Sequence, residues 1–274
     1  MKGIGRVRAA STVLQRARLA DPTGGVWEAS DVQWWWRAPR PTDDLDLPVW
    51  LDDDGVPVGV VLLTAFGHVQ ADALVVPGTV PRREVWDALL EVAPRAIEVL
   101  VRDDDAELLE LVTAAGLERT DEPGATTWLD PAQRPPVAPI ADGYVLVDRT
   151  QRTGTVHPMV ARNHPDHEVR LQQTDLYDPS LDLSIETVDG EPVGYALFWH
   201  DTTTGVGQLE PMRVFDEHQR RGLASALLTE GLDRLARRGA TRLKVGFSGP
   251  AGKALYLGAG FQIGATDCMY RRGS

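Results

Sequence analysis

The chain has 274 residues, 43% of them hydrophobic and 25% charged, with a formal net charge of −12. That length suits two domains of ordinary size, and the composition is that of a globular protein rather than a disordered or fibrous one. The excess of acid argues against nucleic acid as a partner, and no apolar run approaches the ~20 residues that a membrane span needs.

Residues 1–10 lack the apolar core of a secretion signal, so a cytoplasmic location is expected. The single cysteine, Cys268, permits no intrachain disulfide, in keeping with a reducing compartment. It reads as a small strand residue rather than a nucleophile. Residues 1–130 carry 23 acidic and 12 basic side chains, whereas residues 131–274 carry 17 and 16. A phosphate-rich ligand should therefore prefer the second half. The acid of the first half either steers a cationic acceptor or serves solubility.

Residues 2–20 predict a helix with Val7, Val13, Leu14 and Leu19 apolar, stopped by Asp21-Pro22-Thr23-Gly24-Gly25. Ala29 to Arg37 predicts a second. Its adjacent Trp34, Trp35 and Trp36 cannot share one face, so one or two belong in the core and one at an interface or pocket rim. Val49–Leu51 and Pro57–Phe66 read as a hairpin across Asp52-Asp53-Asp54-Gly55. That acidic triplet lacks the alternate ligands of a calcium loop and reads as a solvated turn. A strand follows at His68–Val76, then a helix at Pro81–Val92 with Val85, Leu89 and Val92 inward, and a strand at Ala96–Val101. Asp103-Asp104-Asp105 opens a helix running to Ala115, where carboxylates suit the helix dipole. Thr126–Leu129 is the last strand of the first half.

Four prolines between Asp130 and Pro139 exclude helix and central strand and predict a stiff spacer. Strand Tyr144–Asp148 follows. A helix is expected within Thr150–His164, and Glu168–Thr174 is a short helical or irregular piece. Leu183–Val188 and Pro192–His200 form a hairpin across Asp189-Gly190. Val206–Val214 is an apolar strand, Arg242–Phe247 another, Ala251–Gly258 a short helix and Thr266–Arg271 the closing strand.

Between the strand at 206–214 and a helix at Ser225–Arg238 lies the basic loop Gln219-Arg220-Arg221-Gly222-Leu223-Ala224. Strand, glycine loop and helix start form an anion cradle. The first turn of a helix has unpaired N–H groups, and its dipole places about half a positive charge there. Gly222 lets a ligand approach the backbone, and Arg220 and Arg221 add forked donors.

The loop pattern Q-x-x-G-x-A resembles the signature of the GCN5-related N-acetyltransferase (GNAT) superfamily. So does A-L-Y-L-G-A-G-F, Ala254 to Phe261. The resemblance covers about half the chain, from Asp142 to Arg272. The first half repeats the same order of hairpin, strands and helices, but Pro77-Gly78-Thr79-Val80-Pro81-Arg82-Arg83 stands where the loop should be, and proline lacks the N–H that a pyrophosphate needs. The resemblance therefore implies two tandem GNAT-like α/β domains, each a mixed, mostly antiparallel sheet flanked by helices. Residues 1–130 are a degenerate copy, 131–141 a proline-rich linker and 142–274 the active domain.

The resemblance also implies chemistry: transfer of an acetyl group from acetyl-coenzyme A to a primary amine of a small molecule, without metal. The chain would be a monomer or homodimer with no nucleic-acid or membrane partner. A longer acyl donor, or a non-catalytic sensor or protein-interaction module, are the alternatives. The loop Gln219–Ala224, with Ser225 beyond it, would hold the pyrophosphate. The backbone of Met212, Arg213 and Val214 would meet the pantetheine arm. Tyr256 is the candidate general acid for the departing sulfur, its rival role being core packing. Glu210 is the candidate base, because a carboxylate in a core strand needs a reason. A structural ion pair, or Gln208 in its place, is the rival. An asparagine frequent in the family before the short helix is replaced by Ser248-Gly249-Pro250. His157, His164 and His167 belong to the segment that borders the acceptor in the family. A metal site there is the alternative reading, disfavoured by the intervening prolines.

Overall fold

The computed structural model describes residues 1–160 and 164–272. The chain divides into two compact units, Met1–Thr126 with Ile263–Ser274, and Thr127–Gln262. In the first unit, helices α1 (Gly3–Ala20) and α2 (Ala29–Trp35) precede the hairpin β1 (Val49–Leu51) and β2 (Pro57–Ala65). Then come β3 (Val69–Val75), α3 (Arg82–Val92), β4 (Ile97–Arg102), α4 (Ala106–Ala114) and β5 (Glu118–Leu129). The unit's sheet runs β1-β2-β3-β4-β11-β5, where β11 is Gln262–Arg272. The β1/β2, β2/β3 and β4/β11 ladders are antiparallel and β3/β4 is parallel. Strand β2, P-V-G-V-V-L-L-T-A, is apolar except for Thr64 and buried along nearly its whole length, as suits a strand covered on both faces. Helices α1 and α3 both pack on it. Helix α4 starts where Asp105 accepts a hydrogen bond from the Leu108 N–H at 3.1 Å, which satisfies one orphan donor of its first turn.

The second unit begins with the end of β5 and continues through β6 (Tyr144–Asp148), α5 (His167–Leu171), β7 (Asp182–Thr187), β8 (Pro192–Asp201), β9 (Val206–Val214), α6 (Leu223–Arg237), β10 (Arg242–Phe247) and α7 (Pro250–Gly258). Its sheet runs β5-β10-β9-β8-β7-β6. Strands β6 to β9 are antiparallel neighbours, and β9 pairs with β10 in parallel. Each unit thus has the mixed, mostly antiparallel sheet with helices that the sequence predicts.

Four expectations are corrected. The closing strand β11 belongs to the first unit, not to a domain spanning 142–274. Its Cys268 and Tyr270 fill the first unit's core with Trp86 and Leu89, and the Cys268 thiol donates to the Thr120 carbonyl. The proline-rich stretch is no free spacer: the Arg134 guanidinium pairs with Asp233 of α6 at 2.8 Å, and the Ala138 N–H donates to Thr229 at 2.9 Å. Val92 is exposed, because it is the last residue of α3 and the chain turns away there. Within Thr150–His164 the described residues form no α-helix, with 3₁₀ conformation at the end of the turn Arg149–Gln151 and at Val160, and residues 161–163 lie outside the described residues. Of the tryptophans, Trp34 and Trp35 are buried and Trp36 half-buried. No helix of the described residues is long and apolar enough to cross a membrane.

Helix α6 lies directly on the sheet because Gly231 has no side chain. A Cβ there would come within 2.0 Å of the Phe198 ring, which is fully buried in β8. Gly→Ala in mid-helix normally stabilises. Here the overpacking should dominate, and Gly231→Ala is expected to destabilise by about 1–3 kcal/mol, read as a fall in urea midpoint.

Candidate active site

The site is built around the second half of β9. Its parallel ladder with β10 is confined to three pairs, Val206 to Gln208 with Arg242 to Lys244. Beyond them β9 continues to Val214 and β10 to Phe247 with no further ladder pair among the described residues. The antiparallel ladder with β8 also changes register, between Ala196 and Phe198. There the Trp199 indole N–H donates to the Glu210 carbonyl at 2.7 Å. Glu210, Met212 and Arg213 are half-buried and Val214 is buried. They therefore lie on a stretch whose β10-facing edge is not used by the sheet. The Arg213 guanidinium lies 3.4 Å from Asp216, an exposed pair of little energetic weight.

A short 3₁₀ turn, Asp216–His218, leads from β9 into the loop. The Gln219 side-chain amide donates to the Val214 carbonyl at 3.1 Å and to Asp216 at 3.0 Å, so it ties the loop to the strand end. Arg220 has φ 60° and Gly222 φ 79°. Two left-handed residues in three make the kind of turn that gathers backbone N–H groups into a concavity. A Cβ built on Gly222 meets nothing within 4 Å, so the space beside this backbone is open. Gly222 is the N-cap of α6, and no side chain caps that end. Arg220 and Arg221 are exposed, Ala224 and Ser225 half-buried, and Leu223 fully buried. Leu223 therefore anchors the helix start and offers only its backbone. The loop also has an anchor that sequence reasoning missed. The Tyr144 hydroxyl of β6 is hydrogen-bonded to His218 Nδ1 at 2.9 Å. Nothing in the spacing of residues 144 and 218 signals it.

Tyr256 lies on α7, with its ring edge-on to Phe261 at 6.2 Å. It is almost fully buried. Burial first, and then the negative charge of Glu210, push its hydroxyl up to about 12. The structure thus brings the two catalytic candidates within electrostatic reach of each other and keeps Tyr256 protonated at neutral pH. Gln208, the rival to Glu210, is buried. Ser248 is exposed, just ahead of the Gly249 N-cap of α7.

The histidine-rich segment contributes differently from its sequence. His157 Nε2 is 2.7 Å from Asp182, which also accepts from the Tyr177 hydroxyl at 2.9 Å, and the His157 and His167 rings are 4.8 Å apart. His164 is exposed. On β7, Asp182, Ser184 and Glu186 alternate with Leu183 and Ile185. Leu183 and Ile185 enter the core, and the polar set lines a cavity of about 430 Å³ together with Arg149, Arg152 and His157. Two ion pairs border it, Arg149–Glu168 and Arg152–Glu186, both at 2.7 Å. The D-L-S-I-E-T alternation announces a polar face. It does not announce that loops bury it.

The model of the acetyltransferase (GNAT) family matches residues 150–261. The mycothiol acetyltransferase of Clavibacter michiganensis subsp. michiganensis is 30% identical over 242 residues, which is 80% of this chain and 78% of that protein. Two solved structures share the fold. A tandem GNAT protein from the clavulanic acid biosynthesis pathway has a TM-score of 0.66 at 18% identity, over 99% of this chain and 97% of its own. A GCN5-related N-acetyltransferase from Sphaerobacter thermophilus has a TM-score of 0.60 at 19% identity, over 97% and 92%.

Proposed function

The chain belongs to the acetyltransferase (GNAT) family and is an acetyl-coenzyme A-dependent acetyltransferase, and from that premise we propose that it acetylates a primary amine of a small molecule at the second unit. The observation that carries this reading is a buried, protonated Tyr256 within electrostatic reach of Glu210, on the part of β9 beyond its ladder with β10. A small acceptor is further supported by the relative named mycothiol acetyltransferase.

The residues present fit the donor. The open backbone at Gly222 and the uncapped start of α6 suit its pyrophosphate. Gln219, Arg220, Arg221, Leu223, Ala224 and Ser225 complete that loop, with exposed cations at 220 and 221. The unladdered edge of β9 at Met212, Arg213 and Val214 suits an arm bearing amides. When bound, acetyl-coenzyme A supplies an activated thioester. An acceptor amine arrives protonated at neutral pH and must lose that proton before it can attack. The Glu210 carboxylate takes it, directly or through one water. The Tyr256 hydroxyl gives a proton to the departing sulfur.

Release of free coenzyme A, separated from its thioester by chromatography, with matched amine, thiol and alcohol acceptors tests the acceptor class. Release with amines only is expected, and release with a thiol or alcohol but no amine sinks the proposal. Glu210→Gln should lower kcat/KM by about 10²-fold and abolish the enzyme-derived loss of rate at low pH. The sign follows from the role, since a base works ionised and fails as pH falls through its own titration. An acceptor of lower amine pKa moves a substrate-derived limb and leaves an enzyme-derived one in place. A variant that keeps that second limb would return Glu210 to a structural role.

The first unit, on this proposal, holds no coenzyme A. Pro77 and Pro81 stand in the segment equivalent to the loop, and Pro81 is the N-cap of α3, so N–H donors are missing there.

A further inference from the structure

The first unit has a cavity of its own. Its β3/β4 ladder is a single pair, Gln70 with Glu98, and beyond it the strands enclose a space of about 140 Å³. A single water needs only ~10–15 Å³ of such volume, so a small organic molecule fits. Ala73, Val75 and Val99 give the cavity apolar walls, and Trp27 and Asp72 line it too.

Asp72 is the unusual member. It is buried on β3, and among the described residues its carboxylate accepts from neutral donors alone, the Trp27 indole N–H at 2.8 Å and the Gln70 amide at 2.9 Å. Asp31 on α2 and Glu98 on β4 add negative charge around it. The arginines lining the cavity are already engaged: Arg18 of α1 with Glu28 at 2.5 Å, Arg82 with Asp105 at 2.7 Å and Arg102 with Asp104 at 2.6 Å. Glu98 has Arg271 at 3.0 Å. Among the described residues no ion pair joins Asp72 to a cation. A buried ion without a counter-charge is costly, and burial accordingly raises Asp72 to about 6.

We propose that this cavity binds a small organic ammonium ion, with its charge on Asp72, its body between β3 and β4, and the Trp27 ring beside it. The ammonium supplies the missing counter-charge, and an indole adds cation–π attraction. The acidic balance of residues 1–130 favours a cation over a phosphorylated ligand. Binding needs ionised Asp72, so affinity falls as pH drops through about 6.

The probe is cyclohexylammonium, titrated calorimetrically into the full chain, with cyclohexanol as its uncharged counterpart. One equivalent of the amine should bind and the alcohol should not. Asp72→Asn keeps the shape and removes the charge, and it should weaken binding at least about tenfold. Its melting temperature should equal or exceed that of the wild type, because a buried charge is gone. Should that variant fail to fold, Trp27→Phe keeps the charge and should weaken binding severalfold. Glu210→Gln should leave this binding unchanged, which separates it from an amine held by the second unit. The proposal is overturned if wild type binds no amine, if Asp72→Asn binds as well as wild type, or if Glu210→Gln alone abolishes binding. Coenzyme A should saturate at one equivalent. A second equivalent lost in Asp72→Asn would assign the cavity to that ligand instead.

Discussion

Tyr256→Phe is expected to lower kcat by about 10²–10⁴-fold, with coenzyme A affinity nearly unchanged. The substitution removes one oxygen and leaves the ring against Phe261, so stability should change by no more than about 1–2 kcal/mol. The sign of the pH effect follows from the raised pKa. With its hydroxyl at about 12, Tyr256 stays a proton donor throughout the neutral and mildly alkaline range, so the wild-type kcat should not fall on the alkaline side until the pH nears that value. Full kcat in the phenylalanine variant would make Tyr256 a packing residue. Catalysis would then rest on Glu210 and on positioning of the donor.

Gly222→Val should weaken coenzyme A binding by about 10–100-fold in calorimetry. At φ 79° a residue with a Cβ costs roughly 1–2 kcal/mol, and a β-branched one more. The added atoms meet nothing in the protein itself. The fold therefore tolerates them, and the ligand's approach does not. If the backbone instead relaxes to negative φ, the concavity after Arg220 is lost, with the same outcome. The melting temperature should fall by only a few degrees. Gly222→Ala should lie between the two. Unchanged affinity in the valine variant would remove the loop from the donor site.

Much of the fold was legible because local chemistry marked it. The loop at Gln219–Ala224 announces itself by a glycine and two arginines between an apolar strand and a periodic helix. Asp189-Gly190 marks its hairpin. What escaped was set by partners distant in sequence. A strand's alternation shows which face is buried and not which neighbour it joins, so Thr266–Arg271 looked like the end of the second copy although it pairs with β4. Strand β5 is twelve residues long, but its first part contains Asp121, Glu122, Pro123 and Gly124, all poor strand formers, so only Thr126–Leu129 stood out. The prolines of residues 130–139 predicted extended chain and could not show Arg134 reaching Asp233. Glu210 and Tyr256 were legible singly, from a misplaced carboxylate and a motif. Their electrostatic contact, 46 positions apart, needed the fold.

The placement of β11 orders events during synthesis. The first unit is translated first, yet the strand between its β4 and β5 is made only after all of Thr127–Gln262. At about 5–20 residues per second, those 136 residues impose a wait of roughly 7–27 s. During it the nascent first half holds a sheet with a gap, its two unpaired edges open to other strands. The half of the chain that leaves the ribosome first is thus the last to be finished.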